Sequence, residues 1–321
     1  MSVCFVFNDA SLPFASIENC EKSIPNFFLI LRKAIKNEVQ VIRTNNTIGN
    51  NWYKFHYADD FSLSQWVEQQ KDKDYKRHIR SIMDKTECPL VSSEDFEVLS
   101  ALENSDFELP GEKPKDVSSL GAAFLLKTSA VSFCSSPQWD SIVIDIVHLY
   151  LDGASSRIIR EDCSADNVSQ LDHLTSFLDR IKKERRDSRE YLKSIKVKGN
   201  KDFPNLIFCP STIKIFNHLE VSSFLLEKIN YALDKLNSAI TQANSDFDLI
   251  DMTGLNISGE SDSTKQNKKL IKYRKFKLPN GEFRIFDLHV KNFPNYQRLY
   301  FLPDYDNHRI FIGYFGKHLP T

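Results

Sequence analysis

Three turn signals in the last fifth of this chain constrain its fold more tightly than anything else in the sequence. Pro279-Asn280-Gly281, Asn292-Phe293-Pro294-Asn295 and Asp304-Tyr305-Asp306-Asn307 separate four runs of alternating apolar and polar residues. Asn-Gly supplies the positive φ of a tight primed turn, and Asn/Asp/Pro clusters interrupt helix and strand alike. The spacing predicts an antiparallel β-meander with strands over 270–278, 282–291, 296–302 and 308–315. With four-residue loops, Lys291 faces Tyr296, His289 faces Arg298 and Asp287 faces Tyr300. Leu288, Leu299, Phe286, Phe301, Ile310 and Ile312 then turn to a core. Asp287, His289, Lys291, Tyr296, Arg298, Tyr300 and Arg309 share the opposite, outward face. A one-residue slip would exchange the two faces.

Charge sharpens the picture. Residues 265–321 hold 12 Lys/Arg against four Asp/Glu, a balance of +8, whereas the remaining 264 residues carry -9. The same segment holds 12 of the 38 aromatic residues. Clustered cations release counterions from phosphates and rings stack on bases, so this segment is expected to face RNA or DNA. Docking of the basic tail on the acidic remainder is the competing reading. The nucleic-acid contacts expected are Lys272, Arg274, Lys275, Arg284, Arg309, Lys317 and His318.

The preceding part reads as mixed α and β, giving an α+β chain overall: a mixed α/β N-terminal body followed by a C-terminal antiparallel β-meander. Val3–Phe7 predicts a buried first strand, and Ile24, Phe27, Phe28, Leu31 and Ile35 mark an amphipathic helix. Short strands are expected at 39–42 and 52–57, helices near 62–70 and 74–83, and a loop over 104–119. Leu120–Phe133 predicts a buried helix, and β-branched Ser141–Leu151 a central strand. Long helices follow over 167–195, with the charge run Arg180–Asp187, and over 221–243. The Gly- and Ser-bearing segment 253–266 is the expected linker, so the boundaries are an acidic α/β body over 1–252, the linker, and a basic β-meander over 267–321. Residues 1–9 lack a signal-peptide pattern, no apolar run is long enough to span a membrane, and the six cysteines are scattered. A cytoplasmic protein with buried thiols and no membrane contact is expected.

The stretch Phe286-x-x-His289-x-Lys291, with Arg298–Phe301 and Arg309–Leu319, resembles the C-terminal sheets of RelE-type toxins, bacterial endoribonucleases of toxin–antitoxin modules. The resemblance covers about 50 residues. It departs from the family in the long part that precedes it, which the resemblance implies is a fused neutralising or targeting domain of an anti-phage defence protein. It implies RNA cleavage without a metal or cofactor, which requires a base for the 2′-hydroxyl, cations for the developing charge and an acid for the leaving oxygen. His289 would serve as base or acid, Arg298 and Lys291 would hold the phosphate, and Tyr300 would stack or donate a proton.

Other chemistries lack their motifs. There is no P-loop, GxGxxG, GxSxG or HExxH, and the eight histidines are dispersed, so no metal site is expected. Two function classes follow. One is a ribonuclease toxin or effector in phage defence; the other is a non-catalytic subunit binding nucleic acid or a protein partner within a defence or regulatory complex.

Overall fold

The computed structural model describes residues 3–37, 39–49, 51–93, 95–111, 115–152, 157–294 and 296–320, with the backbone alone at 196–200 and 292. The fold is α+β, and the chain divides into two units, Ser2–Arg180 and Ile181–Thr321 with Met1. The division falls at 180/181, and segment 253–266, expected as a linker, lies within the second unit.

The N-terminal unit holds β1 (Val3–Phe7), α1 (Ile17–Asn37), β2 (Val39–Arg43), a hairpin of β3 (His56–Ala58) and β4 (Phe61–Ser62), α2 (Leu63–Gln69) and α3 (Lys73–Met83). β5 (Thr86–Glu87), α4 (Phe96–Glu103), β6 (Ser105–Glu108), α5 (Ser118–Leu125), β7 (Ser129–Val131), β8 (Val143–Asp152) and β9 (Arg157–Val168) follow. Seven strands form one mixed sheet in the order β5-β2-β1-β7-β9-β8-β6. The first five run parallel, and β8 returns antiparallel to β9. The first strand and α1 form as their patterns predict, with Phe27 stacked on Phe133 at 3.8 Å in an aromatic core with Phe7 and Trp52.

Three expectations differ, the first being the strand expected at 52–57, which is turn over 52–54 and strand only from His56. Leu120–Phe133 is not one helix: α5 ends at Leu125, and β7 inserts beside β1. The expected loop 104–119 contains β6, and its residues 112–114 lie outside the described set.

Helix α6 (Leu171–Asp202) precedes the rest: β10 (Leu206–Phe208), α7 (Pro210–Phe216), α8 (Ser223–Ala239), α9 (Asp246–Thr253), β11 (Ile257–Ser258), α10 (Asp262–Gln266) and α11 (Lys268–Ile271). The last strands are β12 (Lys275–Lys277), β13 (Phe283–Ile285), β14 (Leu288–Phe293), β15 (Gln297–Asp304) and β16 (Arg309–Lys317). Turns fall where Asn280-Gly281 and Asp304–Asn307 predict them, with Gly281 at φ 94°. The meander is not a single four-stranded sheet, however. β14-β15-β16 is the antiparallel centre of a five-stranded sheet, β10-β16-β15-β14-β11, while β12 and β13 form a separate two-stranded ribbon.

One face of the five-stranded sheet buries Leu288, Val290, Leu299, Phe301, Ile310, Ile312 and Phe315 against α8 residues such as Leu225, Ile229 and Leu233. The opposite face carries Tyr300 and Tyr314, covered by Phe276 and Phe286 of the ribbon segment. That approach requires glycine at 313, where a Cβ would lie 2.6 Å from the Phe286 ring.

Candidate nucleic-acid interface

The ribbon owes its two sides to strand alternation. Its register sets Lys275 opposite Ile285, Phe276 opposite Arg284 and Lys277 opposite Phe283. Phe276 packs inward on Phe286 and Tyr314, whereas Lys275, Lys277, Phe283 and Ile285 are exposed on the other side. Phe283 is 64% exposed, too much for a ring that merely completes the local core. The turn before the ribbon adds exposed Lys268, Lys269 and Lys272, with the Lys272 ammonium 5.1 Å from the centre of the Tyr273 ring. Arg284 is exposed and pairs with Glu282 at 2.7 Å. Lys275, Lys277, Phe283 and Ile285 thus share one surface, and Arg284, opposite Phe276, lies on the other.

Beneath the sheet's second face lies a different arrangement. Arg274 is fully buried, its Nε 2.8 Å from Oε1 of buried Glu260, and its Nη1 donates to the carbonyls of Leu270 and Pro320. His289 is also buried, with Nε2 3.1 Å from Ser258 Oγ and Nδ1 3.9 Å from Glu260 Oε1. Its ring lies 4.9 Å from that of Tyr300 and 5.8 Å from that of His318. Burial outweighs the nearby Glu260 carboxylate and lowers the His289 pKa to about 4, so the imidazole is neutral near pH 7. Burial, then Glu260, pushes the Tyr300 phenol up to about 12. Residues 318–320 close the site: His318 N donates to Tyr296 O, and Leu319 N to Tyr300 Oη.

These positions correct the expected grouping. His289 faces Tyr300, not Arg298: β14 runs on to Phe293, which pairs with Gln297 across a short turn with Tyr296 at φ 54°, and a register irregularity between Val290 and Phe293 leaves the inner pairs displaced by two residues. The shift is even, so each residue keeps its side, but that side is covered. His289, Tyr300 and Arg274 are therefore interior, and Arg274 is spent on Glu260 and main-chain carbonyls instead of phosphate. Phe286 lies with Tyr300, not with Phe301, because it falls between β13 and β14. Arg298 and Lys291 are half-buried. Lys317, His318 and Arg309 are exposed, but Lys317 and Arg309 sit at opposite ends of the β15–β16 ladder, roughly 26 Å apart along the strand. Lys272 and Lys275 stay neighbours at the start of the ribbon, whereas Arg284 falls opposite Phe276 on the ribbon's other side and Arg309 begins β16.

Glu260 and Ser258 are absent from the expected site because they lie in the presumed linker. The sequence around Glu260, Ser258-Gly259-Glu260-Ser261-Asp262, reads as a polar turn and gives no sign of a buried acid. Among the described residues, no three His, Cys, Asp or Glu side chains gather to hold a metal ion, and no helix is long and apolar enough to cross a membrane. No family model, curated protein or solved structure matches the chain.

Proposed function

We propose that the protein engages single-stranded nucleic acid through the β12–β13 ribbon and the helical turn before it. The observation that carries this reading is the outward side of the ribbon, where Lys275 and Lys277 alternate with exposed Phe283 and Ile285 beside Lys272 and Tyr273. Cations would neutralise phosphates and rings would stack on unpaired bases, a combination that tolerates any sequence. The unit Ile181–Thr321 keeps the whole +8, against -9 for residues 1–180, so its field favours a polyanion. Binding without cleavage fits the covered state of His289 and Tyr300, since a substrate 2′-hydroxyl must come within hydrogen-bond reach of its base.

A second reading, RNA cleavage at the buried centre, has one observation in its favour. His289 Nδ1 is buried without a hydrogen-bond partner among the described residues, 3.9 Å from the Glu260 carboxylate, a state that often marks a working site. This reading requires residues 318–320 to swing away. Incubating the full chain with a labelled 20-mer RNA in EDTA separates the two. Retarded but intact RNA supports binding alone; cleavage that disappears in His289→Ala supports the second reading. No retention of RNA or DNA at low salt removes both.

A further inference from the structure

We propose that the outer edge of β9 in the N-terminal unit pairs antiparallel with the same edge of a second copy of this chain. β9 is 12 residues long, but β7 pairs only with its last three, Asp166, Asn167 and Val168. On that side the strand is bare over Arg157–Ala165: among the described residues, its backbone bonds run only to β8. The phase of the ladder shows which groups are left open. Asn167 N donates to Ile142 O on the β8 side, whereas Val168 O accepts from Ser132 N on the β7 side. Alternation along the strand then directs the N–H and C=O of Ile158, Arg160, Asp162 and Ser164 outward. The β8–β9 register is unbroken, and residues 157–165 contain neither Pro nor Gly. The edge therefore lacks the bulge or proline with which proteins commonly block strand addition.

The side chains select the partner and the register. In an antiparallel pair, outward-directed residues must oppose outward-directed residues. With Ile159 on a two-fold axis opposite its own copy, Ile158 faces Arg160 and Arg157 faces Glu161, each twice by symmetry. The Arg157–Glu161 pairing, made twice, joins opposite charges, and among the described residues the exposed Arg157 and Glu161 have no other ion pair. This register also accounts for an otherwise unexplained apolar surface. Ile158 is 75% exposed and Leu151, directly opposite it on β8, is 62% exposed. In the pair they lie beside the aliphatic stem of the partner's Arg160, and two seven-stranded sheets become one. Of the registers one pair to either side, one places Arg160 against Arg160, and the other sets Ile158 against its own copy but brings Arg157 to Ile159 and so loses both Arg157–Glu161 pairs.

Sedimentation of the full chain from about 1 to about 100 µM tests this, with micromolar association expected for so small an interface. The wild-type mass should climb from 37.1 kDa towards twice that value. Arg160→Pro should abolish the rise: the lost N–H points to solvent, a position where an edge strand tolerates proline. Arg157→Glu and Glu161→Arg should each weaken association about tenfold by opposing like charges, and mixing those two variants should restore it as a heterodimer. That mixing arm does not depend on the proline variant folding. A wild type that stays monomeric to about 100 µM overturns the proposal. So does a dimer indifferent to all three substitutions, or a mixture that fails to re-associate.

Discussion

The two units bury polar groups in opposite ways. In the N-terminal unit the buried polar groups at the carboxyl ends of β1 and β7 are neutral. Asn8 Nδ2 donates to Ser132 Oγ, Ser132 Oγ donates to Asn167 Oδ1, and Asn167 Nδ2 donates to the carbonyls of Trp139 and Ser141. The C-terminal unit buries a carboxylate, a guanidinium and an imidazole together instead, under residues 318–320. Neutral amides fix strand ends at small desolvation cost, whereas a buried charge stays only while its counter-charge does. The comparison teaches that the basic character of the C-terminal unit has two separate uses. Arg274 holds the fold together, and the lysines of the ribbon face outward.

The difference can be broken unit by unit, because Trp52, Trp66 and Trp139 all lie in the N-terminal unit. Indole emission follows that unit, and far-ultraviolet circular dichroism follows both. The largest effect is expected from Arg274→Met, which strands the Glu260 carboxylate in the interior. It should cost about 3–5 kcal/mol in urea, seen by dichroism and not by indole emission, and Glu260→Gln added to it should recover part of the loss.

A smaller effect comes from acid. His289 has a pKa lowered to about 4, so the unfolded chain takes up a proton near its ordinary value of 6.5 while the folded unit stays neutral. Stability conferred by the neutral ring is therefore complete above about pH 6.5 and declines as the pH falls towards 4, by on the order of 2–3 kcal/mol. Urea titrations at several pH values should show this slope in wild type and flatten it in His289→Gln. Asn167→Ala should cost about 1–3 kcal/mol in the N-terminal unit, this time visible in indole emission, by leaving the Ser132 hydroxyl and two carbonyls without their donor or acceptor. Lys275→Glu with Lys277→Glu, on exposed positions, should leave both transitions within about 0.5 kcal/mol of wild type.

Much of this arrangement was legible in local sequence. Periodicity located α1 and α8, Asn280-Gly281 located the ribbon turn, and alternation sent Ile310 and Ile312 to the core, where both are fully buried. What escaped depends on contacts distant in sequence. β9 contains Arg-Glu-Asp-Cys-Ser-Ala-Asp-Asn, which has no apolar period; it is a strand because β8 pairs with it from Arg157 to Asp166. β7 hides in an apolar run whose helical reading is locally sound, and parallel pairing with β1 decides otherwise. In the site, the expected outward face kept its parity but not its exposure, since nothing local shows that Phe276 and Phe286 fold over Tyr300. Arg274 sits in a run of lysines and looks like one more surface cation. Its burial is set by Glu260, 14 residues upstream in an apparent linker.

Under the proposed function the exposed lysines of the ribbon, and not the buried centre, contact nucleic acid. The most direct test is the salt dependence of affinity for a single-stranded RNA, measured for wild type and for Lys275→Gln with Lys277→Gln. Two lost phosphate contacts should reduce the slope of log K against log salt by about 1.4, with Arg309→Gln leaving it unchanged. An unaltered slope in the ribbon variant would contradict the claim.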